Sequence, residues 1–109
     1  MNDLNSVLIE GILTDDPTAN NNEGNGELCR FIVETRRTNH AGLTRTYTFA
    51  IETKGRLAMN CNEHLRAGRG VRVVGSLAEE NSAAVIQAEH VEFRPMRPSA
   101  AEPHAAIVS

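Results

Sequence analysis

Residues 54–77 read KGRLAMNCNEHLRAGRGVRVVGSL, and this stretch decides the fold. Its first half carries apolar residues at the spacing of one face of a short helix: Leu57, Ala58, Cys61 and Leu65. Gly68 can adopt a positive φ and end that helix. After Gly70 the apolar residues alternate with other residues, as they do in a strand. We therefore predict a helix that leads through a glycine turn into a strand.

The same alternation predicts five strands in all. They are Ser6–Thr14, Leu28–Arg37, Arg45–Thr53, Val71–Ala78 and a last strand from Ala84 to Phe93. The apolar parity of the last strand changes between Ala88 and Val91, which predicts a bulge there. The polar segment Thr18–Glu27 is predicted to be a loop, mobile over Thr18–Gly26. Five strands with one helix between the third and fourth indicate an all-β barrel.

Strand parity also decides where the aromatic residues point. Phe31, Tyr47 and Phe49 share the apolar face of the second and third predicted strands, so we expect them in the core. The chain has no Trp, and the opposite faces of these strands carry arginines. The pattern therefore predicts an open basic face with little aromatic surface for stacking.

Three segments together resemble the bacterial single-stranded DNA-binding proteins. They are LNSVLIEGILTDDP at 4–17, GRLA at 55–58 continued by LRAGRGVRVVGSL at 65–77, and AEHVEF at 88–93. The resemblance implies an oligonucleotide-binding (OB) fold, a five-stranded Greek-key barrel with one short helix, over residues 1–94. Residues 95–109 are rich in Pro, Ala and Ser, and we expect them to be a flexible tail.

The family further implies a function and an assembly. We expect sequence-independent binding of single-stranded DNA in replication, recombination or repair, with no enzymatic activity, no cofactor and no metal. The first strand of family members pairs with its symmetry mate, which implies a homo-oligomer, most simply a dimer or tetramer. Replication proteins are further expected partners.

Charge is distributed unevenly along the chain. The net charge is −3, yet residues 28–72 carry nine bases against three acids. This basic middle can present one positive face, although an ordinary solvated surface would have the same composition. The candidate nucleic-acid contacts are Arg30, Arg36, Arg37, Arg45, Thr48, Lys54, Arg56 and Arg72. Thr48 and Lys54 stand where the family carries outward aromatics, so we expect binding mainly through phosphate contacts.

Two further departures from the family favour an alternative. The connection Glu79–Ser82 is short and acidic where the family has a long basic loop, and the chain ends AAIVS without an acidic tip. Recruitment of partners by such a tip is therefore not predicted. The segment CRFIVETR at 29–36 resembles the primosomal replication protein N branch, whose OB module would act chiefly through protein partners with weak single-strand binding.

Other classes of function have weaker signals. Glu10, Asp15 and Asp16 could be arranged around Mg²⁺, but an Asp-Pro turn explains the aspartates more simply. No run of 18 apolar residues exists, and residues 1–20 lack the pattern of a secretory signal. Cys29 and Cys61 have no framework spacing, so we expect reduced, buried thiols in a cytoplasmic protein.

Overall fold

Six strands and one helix make up the part of the chain that the computed structural model describes, residues 3–22 and 26–94. The elements are β1 (Val7–Leu13), β2 (Thr18–Asn22), β3 (Gly26–Thr38), β4 (Thr44–Lys54), α1 (Gly55–His64), β5 (Gly70–Glu80) and β6 (Ala83–Arg94). Five of the strands and the helix correspond to predicted elements, with ends shifted by one to three residues. The helix follows the third of the five predicted strands, as expected.

The strands form one sheet in the order β1-β5-β6-β4-β3-β2. All pairings are antiparallel except a short parallel contact between β4 and β6 at Ile51 and Glu52. β1 also pairs with β3, through Ile12 with Glu34 and Leu13 with Val33. This second pairing closes β1, β5, β6, β4 and β3 into the predicted five-stranded barrel.

The sixth strand corrects one prediction. β2 lies within the segment that was expected to be a mobile polar loop, and it pairs with β3 from Thr18 opposite Arg30 to Asn22 opposite Gly26. Backbone hydrogen bonds to the edge of β3 hold this strand, so it needs none of the apolar side chains on which the prediction relied. Residues 23–25 and the predicted tail from residue 95 lie outside the described residues.

The helix packs its predicted apolar face against the barrel. Ala58, Cys61 and Leu65 are fully buried, together with Cys29 from β3. Both thiols are free, and burial raises the pKa of Cys61 to about 12 and also raises the pKa of Cys29. Thiols with such pKa values stay protonated and poorly nucleophilic near neutral pH.

The helix ends earlier than was predicted. The helix ends at His64, because Leu65 already has an extended backbone at φ −88° and ψ 142°. Gly68, predicted to end the helix, instead adopts φ +88° in the turn that leads into β5. Its backbone N–H donates to the carbonyl of Leu13, which fixes this turn to the end of β1.

The predicted bulge in the last strand is confirmed. Val74 pairs with His90 and the next residue, Gly75, pairs with Ala88, so Glu89 has no partner on β5. The extra residue switches the side of the sheet on which the following apolar residues lie. Val91 thereby reaches the core, where it is buried.

Gly11 is the position at which β1 comes close to β3, and a side chain there should be costly. A Cβ atom at Gly11 would collide with the backbone carbonyl of Glu34 and the side chain of Val33. We expect Gly11→Ala to lower the free energy of unfolding by about 1–3 kcal/mol, as overpacking does. Urea denaturation of the variant and the parent protein measures this difference. An unchanged midpoint would show that the barrel closure is looser than the structure indicates.

Candidate nucleic-acid interface

A two-stranded ribbon extends beyond the barrel wall. The last residue of β3 that pairs with β1 is Glu34, and β4 pairs with β6 only at Ile51 and Glu52. Beyond these points, β3 and β4 pair only with each other within the described residues. We call this part of the two strands and its turn, residues 35–49, the ribbon. The side chain of Asn39 accepts hydrogen bonds from the backbone N–H groups of Ala41 and Leu43, which closes its turn.

The aromatic residues of the ribbon are not in the core, contrary to the prediction. Tyr47 is 42% exposed and Phe49 is 37% exposed. The predicted parity is correct, since both lie on the side of β4 that carries the buried Ile51. No described strand lies opposite this part of β4, so the same side of the strand is partly exposed to solvent there. The signal in the sequence was the length of the two predicted strands, Leu28–Arg37 and Arg45–Thr53, which exceeds the usual length of about five or six residues.

Three arginines lie on the same ribbon. Arg37 is directly opposite Arg45, on the side that also carries Tyr47 and Phe49, which we call the core-side face. Arg36 is on the other side, the outer face. None of the three forms an ion pair with a carboxylate in the part of the chain that the structure describes. Like charges directly opposite each other on two strands repel, so the core-side face favours an anion.

The remaining ribbon candidate is on the outer face. Thr48 is exposed and lies opposite Glu34, one pair away along that face from Arg36 and Thr46. The structure therefore brings four of the eight predicted contacts onto the ribbon and divides them between its two faces.

A groove of about 770 Å³ lies beside the ribbon, over the outer side of β3 and β4. β2 borders it on one side and the ends of β5 and β6 on the other. Its charged lining consists of Arg30, Lys54, Glu52, Glu79 and Glu80. Three carboxylates thus face two cations, and the groove is not the basic surface that the sequence suggested.

Arg30 is held by two of these carboxylates. Its terminal nitrogen is 2.7 Å from an Oε of Glu52 and 2.5 Å from an Oε of Glu80. The hydrogen bond to Glu52 is the main cause that raises the pKa of Arg30 above its usual value. The predicted contact lies in the groove, but its positive charge is already compensated.

The other three candidates are separated from the ribbon. Lys54 ends β4 and lines the groove, and Arg56 is exposed in the first turn of α1. Arg72 lies on β5, between Glu10 of β1 at 3.2 Å and Glu92 of β6 at 3.4 Å. About 20 Å of strand separates it from the groove end of β5, at the usual rise per residue. The structure therefore places Arg72 away from the groove.

Comparison with known proteins identifies the family. The model of the single-strand binding protein family matches residues 4–93. The chain belongs to this family. Its members are non-enzymatic, as was predicted for this chain. No curated protein sequence matches the chain.

The fold of this family member agrees with a solved structure. The crystal structure of a small single-stranded DNA-binding protein from Streptomyces coelicolor superimposes with a TM-score of 0.75 at 24% sequence identity. The match covers 91% of this chain and 99% of the other. The predicted OB fold is thereby confirmed.

Neither a metal centre nor a membrane-spanning helix is present among the described residues. No group of three or more His, Cys, Asp or Glu side chains there is arranged to hold a metal ion. Glu10, one of the carboxylates considered for Mg²⁺, is paired with Arg72 and Arg94, and Asp16 accepts a hydrogen bond from the backbone of Ala67. No helix among these residues is long and apolar enough to span a membrane.

Proposed function

We propose that this protein binds single-stranded DNA without sequence preference and serves replication, recombination or repair in the cytoplasm. The observation that carries the proposal is the core-side face of the ribbon. Arg37 and Arg45 lie there with no carboxylate partner among the residues that the structure describes, beside the exposed rings of Tyr47 and Phe49. Cations for phosphates and rings for bases are the two components of non-specific single-strand binding. Membership in the single-strand binding protein family supports the same ligand.

Phosphate contacts supply most of the proposed affinity. They come from the candidate cations that have no ion-pair partner among the described residues: Arg36, Arg37, Arg45, Lys54 and Arg56. Thr48 adds a hydroxyl donor on the outer face of the ribbon. Arg30 and Arg72 contribute less, because carboxylates already hold their guanidinium groups. Stacking on Tyr47 and Phe49 adds to the phosphate term and gives no base preference, since every base has a stacking face.

A titration with three labelled oligonucleotides of equal length tests the proposal: oligo-dT, the same length of duplex DNA, and oligo-U. We expect oligo-dT to bind more tightly than duplex, because bases in a duplex are not free to stack on the ribbon. Equal binding of duplex and oligo-dT would contradict the proposal. Absence of binding to all three would favour the protein-partner role of the primosomal protein N branch instead.

We also propose that the protein assembles through β1. One edge of this strand pairs with β5 from Val7 to Ile12, but its other edge contacts β3 only at Ile12 and Leu13. Within the described residues, the edge from Val7 to Gly11 therefore has backbone groups that no strand satisfies. Such an edge is a template for pairing with another chain. Leu8, at the centre of this segment, is 68% exposed, as a residue covered by a second copy would be.

A charge at Leu8 should prevent this assembly. We expect the parent protein to sediment as a dimer or a larger assembly of 11.9 kDa chains, and Leu8→Arg to sediment as a folded monomer. Leu43→Arg is the matched control, since Leu43 is 67% exposed in the ribbon turn, away from β1. Sedimentation velocity at micromolar concentration measures both variants. A monomeric parent protein, or equal effects of the two substitutions, would contradict assembly through β1.

A further inference from the structure

Arg30 is held in the groove by carboxylates from two different parts of the fold. Glu52 is its direct cross-strand partner on β4, and Glu80 is the last residue of β5. Glu52 accepts from both Nε and a terminal nitrogen of Arg30, at 3.2 Å and 2.7 Å. Glu80 accepts from the same terminal nitrogen at 2.5 Å. Two negative charges thus share one guanidinium group.

The two carboxylates differ in how firmly they are fixed. The side chain of Glu52 is only 7% exposed, so it is fixed in the floor of the groove. Removing its cation would leave a buried, unpaired charge, which is costly. The side chain of Glu80 is 46% exposed. Glu80 stands directly before the two-residue turn, Asn81 and Ser82, that joins β5 to β6. An exposed ion pair of this kind contributes little stability, so another anion can replace Glu80 at small cost.

We propose that Glu80 competes with phosphate for Arg30 and thereby limits how tightly a single strand binds in the groove. This inference depends on the proposed function. A carboxylate oxygen occupies the position beside Arg30 that a phosphate oxygen would take, since guanidinium binds both groups with the same geometry. With Glu79 and Glu52 also in the lining, a strand that enters the groove meets more negative than positive charge. Glu80 is thus a residue that sets affinity, and the ribbon carries most of the binding while it is in place.

Comparison of Glu80→Gln with Glu79→Gln isolates this effect. Both substitutions remove one negative charge from the lining of the groove, but only Glu80 contacts Arg30. We expect Glu80→Gln to bind oligo-dT roughly three- to fivefold more tightly than Glu79→Gln, the upper part of the range for an exposed ion pair. Its plot of log K against log salt should also steepen by up to about 0.7, because Arg30 gains a phosphate.

A second pair of variants tests whether the gain passes through Arg30. Arg30→Gln is combined with Glu52→Gln, so that no buried carboxylate is left without a partner. In this background, Glu80→Gln and Glu79→Gln should have equal affinity for oligo-dT. A difference that persists without Arg30 would overturn the proposal.

The outcomes separate this inference from the function on which it depends. If the parent protein binds oligo-dT and the two single variants are equal to each other, the competition by Glu80 is wrong and the proposed function remains. If the parent protein binds no single strand, the proposed function fails, and the role of Glu80 fails with it.

Discussion

Replacing Arg37 and Arg45 together by glutamine is expected to weaken the binding of single-stranded DNA by more than about tenfold at low salt. Each phosphate that a cation neutralises contributes about −0.7 to the slope of log K against log salt for a single strand. The five candidate cations that have no carboxylate partner in the described part of the chain predict a slope of about −3.5, and the double variant should reduce it to about −2.1. If the two lines meet near 1 M salt, the affinities differ by roughly 60-fold at 50 mM.

Fluorescence titrations of oligo-dT at several salt concentrations measure this slope. Arg66→Gln is the charge-matched control for Arg37→Gln, because Arg66 lies beyond the end of α1 and donates to the carbonyls of Asn62 and Leu65. We expect Arg66→Gln to leave the slope unchanged, while Arg37→Gln alone lowers it by about 0.7 units. Equal effects of these two variants would show that net charge alone, and not the ribbon, determines binding.

Removal of the ring at Tyr47 should weaken base stacking, the second component of the affinity beside the phosphate contacts. Tyr47→Ser is expected to lower the binding free energy by about 1–3 kcal/mol, the range for the loss of one base stacked on an aromatic side chain. The salt slope should stay the same, because no cation is lost. Tyr47 suits this test better than Phe49, which lies opposite the buried Val33, where truncation would also affect the barrel.

Tyr47→Phe is the control, since it removes only the hydroxyl group and keeps the ring. Its affinity for oligo-dT should equal that of the parent protein. Normal binding by Tyr47→Ser would show that bases do not stack on the core-side face. A loss of affinity in both variants would assign the effect to a hydrogen bond of the hydroxyl group instead.

The sequence pattern correctly predicted the helix, five of the strands and the bulge, because these depend on residues close together in the sequence. The helix face at Ala58 and Cys61, the alternating strands and the bulge at Glu89 all follow from the side on which apolar residues must lie. Strand β2 could not be predicted in this way, because its hydrogen bonds depend on the free edge of β3 and not on its own side chains. A polar segment of this kind has the same composition as a loop.

The candidate site was less predictable, since it depends on where the barrel wall ends. Parity assigned Tyr47 to the correct side of β4, but only the three-dimensional closure shows that this side is left partly exposed. The compensation of Arg30 by Glu80 joins residues 50 positions apart, and no local spacing indicates it. Because the residues concerned are far apart in the sequence, its local pattern did not indicate the features that distinguish the ribbon from the groove.

The salt dependence of binding by the parent protein tests the central claim most directly. The claim is that the arginines of the ribbon, together with Lys54 and Arg56, neutralise the phosphates of a single strand. A titration of oligo-dT between 50 mM and 500 mM salt should give a slope of about −3.5. A slope near zero, or no binding at 50 mM salt, would contradict it.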